Sequence, residues 1–274
     1  MRRKDRASGR RRRTLACLAA AGVSLLAALP PAARVAATAA PLQEVLSRRL
    51  PVAGNEVALT FDDGPLPTST PRILALLRSH HAHATFFALG TELERHPGLA
   101  VAAAADGNEL GDHGMTHRAL PKLGNARLLY ELRATADLIQ ELTGRSPTFI
   151  RPPYGSLDRR VIEAARSLHM TVALWTIDTL DWQNPGAGVV ARRVLQAVQP
   201  GDIVLMHDGG GPRDQTVQAV RLILAGLEQR GYQAVTLSQL VQDATRTAPQ
   251  PPTKGKPDPA KAPEVRVYGG PCGA

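Results

Sequence analysis

From residue 56 onward the chain alternates between short β-rich apolar runs and longer stretches with helical spacing, and this alternation limits the fold more than any other feature. Strands are expected at 56–62, 84–89, 108–112, 149–151, 171–177, 202–207 and 234–237. Between them lie helical patterns at 73–79, 98–105, 126–142, 158–168, 189–198 and 216–230, with Gly144, Pro200-Gly201 and Gly231 as stop signals. About seven β/α units in roughly 190 residues imply a parallel α/β barrel or a doubly wound sheet. No internal repeat interrupts the pattern.

The flanks read differently. Residues 1–39 have the layout of a signal peptide: a basic stretch ending at Arg13, an apolar run over 14–29, and small residues near Ala37-Thr38-Ala39. The apolar run is shorter than a comfortable membrane span, so cleavage is expected rather than a retained anchor. The pair Arg12-Arg13 leaves twin-arginine export open beside the general secretory route. Residues 40–54 form a connector, 55–243 the folded domain, and 244–274 a tail rich in Pro, Lys, Thr and Ala with too few apolar residues to pack. The chain is therefore expected to be secreted or associated with the cell envelope.

The formal charge of +9 supports this division and excludes a simple reading. Nine of the basic residues, against only Asp5, fall in the leader, and the tail adds five basic residues against two acidic ones. The central region is slightly acidic, so no basic footprint for nucleic acid lies on the domain. Cys17 is in the leader and Cys272 in the tail, so a mature chain has no internal disulfide. The tail's lysines allow cell-wall association, although a plain spacer explains them as well. The protein is expected to be a monomer.

The side chains able to do chemistry fall at the carboxyl ends of expected strands. Asp62 and Asp63 end the first, His113 and His117 follow the third, Arg151 ends the fourth, Asp181 and Trp182 follow the fifth, and His207 ends the sixth. In a β/α barrel these ends converge on one face. His113 and His117, four residues apart, would share one side of a helical turn. A zinc-type ion accepts two imidazoles and a carboxylate, with a position left for water, and Asp63 can supply the carboxylate. Alone, the histidine pair also fits surface or capping residues, and Asp-Asp-Gly also fits a turn. Together they favour a metal site in which one aspartate binds the ion and the other takes a proton from water.

Five segments carry a family resemblance: Thr60-Phe61-Asp62-Asp63-Gly64, His113-Gly114-Met115-Thr116-His117, Arg151-Pro152-Pro153-Tyr154-Gly155, Asp178-Thr179-Leu180-Asp181-Trp182 and Leu205-Met206-His207. In this order the chain resembles the polysaccharide deacetylase family, also called the NodB-homology domain or carbohydrate esterase family 4, over about residues 55–241. The resemblance implies a distorted (β/α) barrel of about seven units in a single catalytic domain. It implies Asp62 as general base, Asp63, His113 and His117 as ligands of a divalent metal (usually zinc, sometimes cobalt or nickel), and Arg151 as the partner that orients Asp62. The Tyr154 backbone N–H would stabilise the oxyanion, His207 would protonate the leaving amine with Asp181 tuning it, and Trp182 and Leu205 would wall the acetyl pocket.

Elementary chemistry agrees, because amide hydrolysis needs an activated water, a polarised carbonyl and an acid for the leaving amine. The expected reaction is removal of N-acetyl groups from an acetylated amino-sugar polymer of the peptidoglycan or chitin type. An O-acetyl esterase acting on xylan and a non-catalytic carbohydrate-binding relative are the alternatives. Two departures from the family pattern stand out. Gly114 replaces a common Ser or Thr whose hydroxyl helps order the loop, which puts loop rigidity in doubt. Asp112 replaces a usual Asn and offers a carboxylate behind the metal ligands. Elsewhere, His80, His81 and His83 read as a solvated helix end and Trp175 as core within a strand. Gly209-Gly210-Gly211 reads either as a cleft border or as a flexible loop.

Overall fold

A computed structural model describes residues 45–247. The leader, the first part of the connector and the tail beyond Thr247 lie outside the described residues, as do both cysteines. No helix among the described residues is long and apolar enough to cross a membrane.

The strands are β1 (Val45–Leu46), β2 (Glu56–Asp62), β3 (Thr85–Ala88), β4 (Glu109–Asp112), β5 (Phe149–Ile150), β6 (Thr171–Ala173), β7 (Ile177–Asp178), β8 (Ile203–His207) and β9 (Gln233–Val235). The helices are α1 (Thr70–Ser79), α2 (Gly90–Arg95), α3 (Pro97–Ala105), α4 (Asn125–Thr143), α5 (Arg159–Ser167), α6 (Ala187–Ala197), α7 (Asp214–Gln229) and α8 (Leu237–Thr247). All strand pairs are parallel, in the order β1-β6-β5-β4-β3-β2-β8-β7, with β9 also on β2.

Period-two alternation sorts the side chains. On β2, Val57, Leu59 and Phe61 pack into the large cluster shared with α1, α6 and α7. The intervening Ala58 joins a second cluster with Phe87, Phe149, Ala173 and Ile203, so Thr60 and Asp62 face that same inner side. On β8, Val204 and Met206 face the helices, whereas Ile203 faces inward with Leu205 and His207. Leu237 and Leu240 of α8 complete the inner cluster. A third cluster packs α4 and α5 beneath β5 and β6. Fully burying each such Phe, Leu or Ile side chain contributes about 1.5–3 kcal/mol.

Three differences from the sequence reading have local causes. The connector contains β1, which is too short to show a period but pairs Val45 with Val172. Helix α8 continues past the expected domain end, because Ala244 is still buried. The single strand expected over 171–177 is two. β6 pairs with β5 and β1, whereas β7 pairs with β8 at the far edge. Residues 174–176 therefore cross from one sheet edge to the other: Leu174 N–H reaches Leu46 O at 2.8 Å and Thr176 N–H reaches Ile203 O at 2.9 Å. The barrel closes through the covalent chain rather than through a strand ladder.

Candidate active site

The register sets the site. Asp62 pairs with His207 on one side and Phe87 on the other, Ala88 with Asp112, and Asp112 with Ile150. The strand ends are level, so Asp63, His113 and Arg151 emerge together at one rim. Arg151 is wholly buried, and its guanidinium is spent at the barrel seam. Nη1 donates to Asp62 Oδ1 and Thr60 Oγ1, both at 2.8 Å, while Nε and Nη2 donate to Ala173 O (3.1 Å) and Leu174 O (2.9 Å). Phe87 lies 4.1 Å from the guanidinium and Trp175 5.7 Å. Trp175 is thus not core within a strand; it sits in the 174–176 crossing and covers Arg151.

Asp63, His113 and His117 converge: Asp63 Oδ1 is 3.3 Å from His113 Nε2 and 3.1 Å from His117 Nε2. Their ligand atoms all lie within 4.8 Å of one another, and they form the only metal-type cluster among the described residues. His113 Nδ1 is 2.7 Å from Arg151 O, an acceptor, which assigns the proton to Nδ1 and turns the Nε2 lone pair toward Asp63. Asp63 Oδ1 is buried without an aligned donor. Burial opposes charge on Asp63, yet the close approach and charge of the two imidazoles outweigh it and hold the carboxyl well below the usual range. Burial likewise lowers His113, and the charges of Asp62 and Asp63 more than reverse it. The cluster demands positive charge beside Asp63, and its one carboxylate and two imidazoles are the donor set of a zinc-type ion.

The spacing of the two histidines works through a loop, not the expected helical turn. His113 ends the β4 ladder, while Gly114 and His117 both have positive φ, 80° and 56°. The doubt raised by Gly114 is answered by other hydrogen bonds. Asp112 Oδ1 accepts from Gly114 N–H at 2.7 Å, and Gly90 and Thr91 N–H donate to Gly114 O and Met115 O at 3.1 and 3.0 Å. Burial, with the charge of Glu131 added, pushes the Asp112 carboxyl well above the ordinary range.

His207 faces Asp181 across the rim. Its Nδ1 lies 2.7 Å from Asp181 Oδ1 and its backbone N–H donates to Oδ2 at 2.9 Å. Thr216 Oγ1 donates to Oδ2 at 2.7 Å. Burial lowers the His207 pKa, but the Asp181 hydrogen bond and charge, with Asp62 and Asp63 behind them, raise it above the ordinary imidazole value.

Tyr154 has a left-handed backbone (φ 63°), is 70% exposed, and sets its ring edge-on to His117 at 4.6 Å between centroids. Leu205 is buried two residues before His207 on the same strand face, and Trp182 is 51% exposed in the turn that begins at Asp181.

One buried carboxylate beside the site escaped the sequence reading. Asp208, directly after the His207 motif, is buried against Gly64, and burial raises its pKa to about 7. Its Oδ2 accepts from Thr70 Oγ1 at 2.5 Å. The glycine run proves to be a close-packed border: a Cβ on Gly209 would stand 2.0 Å from Asp63 O, and one on Gly210 2.5 Å from Asp63 Oδ2. His80, read as a helix-end residue, pairs there with Glu228 at 2.9 Å.

An all-parallel sheet curled around this rim, with a carboxylate–imidazole cluster at its strand ends, defines an α/β protein with a metal-type site, and similarity narrows it. The family model described as polysaccharide deacetylase matches residues 50–173, which include Asp62, Asp63, His113, His117 and Arg151. The chain is 37% identical over 188 residues to a peptidoglycan-N-acetylglucosamine deacetylase of Bacillus cereus, covering 68% of this chain and 88% of that one. It is 35% identical to a chitooligosaccharide deacetylase of a Bradyrhizobium species, covering 67% and 90%. It is 36% identical to the peptidoglycan-N-acetylmuramic acid deacetylase PdaC of Bacillus subtilis, but spans only 38% of that protein's length. The solved structure of PdaC superposes with a TM-score of 0.66 at 34% identity, covering 71% of this chain and 93% of the solved one. The chain belongs to the polysaccharide deacetylase family.

Proposed function

We propose that this protein is a secreted, metal-dependent N-deacetylase of peptidoglycan or chitin-type oligomers. The observation that carries the reading is the strand register that sets Asp62 beside His207, with Asp63, His113 and His117 clustered at the same rim. The names of the relatives, which act on acetylated amino-sugar polymers, support the choice of substrate over an acetylxylan.

Asp63, His113 and His117 would hold a divalent ion, zinc before cobalt or nickel, which when bound supplies Lewis acidity to a water and to the acetyl carbonyl. Asp62, oriented by Arg151, takes a proton from the attacking water. The Tyr154 backbone N–H donates to the oxygen that gains charge as the carbonyl carbon becomes tetrahedral. His207, held charged by Asp181, gives its proton to the sugar nitrogen as the C–N bond breaks. Acetate and a free amine leave. Leu205 and Trp182 border the acetyl methyl group.

The test is acetate release from chitin oligosaccharides, peptidoglycan and acetylxylan, with and without chelator. Release from one of the amino-sugar polymers, abolished by chelator and restored by zinc, is expected. Release from acetylxylan alone would replace the reading with O-deacetylation, and none from any of them by zinc-loaded protein would remove it.

A further inference from the structure

Glu131 lies on α4 among Leu128, Leu132, Thr135 and Ile139 and is as fully buried as they are. A buried carboxylate is costly unless its oxygens are occupied, and here they are occupied by one loop. Oε2 accepts from Thr116 N–H at 2.8 Å and Oε1 from Thr116 Oγ1 at 2.8 Å. Arg127 completes the shell, with Nε at 2.9 Å and Nη2 at 2.7 Å from Oε1. Thr116 immediately precedes His117, whose left-handed backbone persists only where its surroundings hold it. The other grips on this loop are at Gly114 and Met115, and at His117, whose ring meets the Tyr154 ring at 4.6 Å between centroids and whose carbonyl accepts from the Tyr154 hydroxyl at 3.5 Å. Glu131 takes both polar hydrogens of the residue directly before the second histidine, in a chain whose residue 114 has no hydroxyl to offer.

We propose that Glu131 is a positioning residue that fixes His117 for metal binding, an inference that rests on the metal reading above. Arg127, partly exposed, only compensates the carboxylate's charge.

The experiment is a zinc dissociation constant by chelator competition for the wild-type chain and for Glu131→Ala, Glu131→Gln, Thr116→Val and Arg127→Ala, with thermal unfolding of each metal-free form. Glu131→Ala is expected to weaken zinc binding ~10–100-fold while KM at saturating zinc stays unchanged. Glu131→Gln, whose amide can accept from Thr116 N–H and donate to Thr116 Oγ1, should recover most of the affinity. Thr116→Val should cost about 2–10-fold, and Arg127→Ala less. Wild-type affinity in Glu131→Ala overturns the proposal, as do equal losses in Glu131→Gln and Arg127→Ala, which would mark a structural ion pair. If Glu131→Ala does not fold, Thr116→Val decides, and an unchanged constant there overturns the proposal. A wild-type chain that binds no zinc would instead defeat the metal reading on which the inference stands.

Discussion

Asp62 and Asp181 make an instructive pair. Both are buried carboxylates near strand ends, and each is hydrogen-bonded to one basic side chain from another strand end. Asp62 gives only Oδ1 to Arg151, while Oδ2 remains turned toward the metal cluster, 3.8 Å from His113 Nε2. Asp181 spends both oxygens, on the His207 ring, the His207 backbone and Thr216. The partners differ as well: a guanidinium keeps its charge at any working pH, and an imidazole does not. The uncommitted oxygen suits Asp62 to the base role proposed for it, and the saturated carboxylate suits Asp181 to holding His207.

The largest effect should come from breaking the first member. Asp62→Asn is expected to lower kcat about 10³–10⁴-fold with bound zinc retained, whereas Asp63→Asn should lose the metal itself. Metal analysis beside turnover checks this, and equal metal loss in both variants would show the two roles to be wrongly divided. His207→Asn should cost about 10²–10³-fold in kcat with zinc content unchanged; a parallel loss of zinc would move His207 into the metal's environment.

The smallest effect sharpens the contrast. In the proposed mechanism His207 works in its protonated form, and its pKa is raised, so activity should fall as pH rises through a value above that of an ordinary imidazole. Asp181→Asn removes the group that raises it, and the alkaline limb of kcat/KM should move to lower pH. A limb that stays in place would assign it to another group.

Much of this arrangement was legible because strand ends are legible. The alternation of 56–62 and the β-branched run before His207 placed Asp62 and His207 correctly, and parallel pairing did the rest. The histidine loop was misread as a helical turn, since spacing alone cannot reveal that Gly114 and His117 adopt positive φ. Strand-like composition through Leu174-Trp175-Thr176 hid the change of partner between β6 and β7, which depends on contacts distant in sequence. Glu131 did leave a trace: it occupies an apolar-stripe position on α4, three residues after Leu128 and one before Leu132, where the helical period asks for a hydrophobe. The glycine run beside Asp63 was visible but undecided between border and loop, because only the neighbouring backbone shows why a side chain is excluded there.

Arg151 also bears on how such a protein can change over generations. The same guanidinium orients Asp62 and bonds the two carbonyls at the seam where the sheet lacks a ladder. A lineage that loses Asp62 keeps a buried cation with no counter-ion, at a cost of about 3–5 kcal/mol. Replacing Arg151 first instead leaves the seam carbonyls without donors. Decay of activity in this fold is therefore coupled to decay of stability, and a stable inactive descendant must acquire compensating substitutions at both positions.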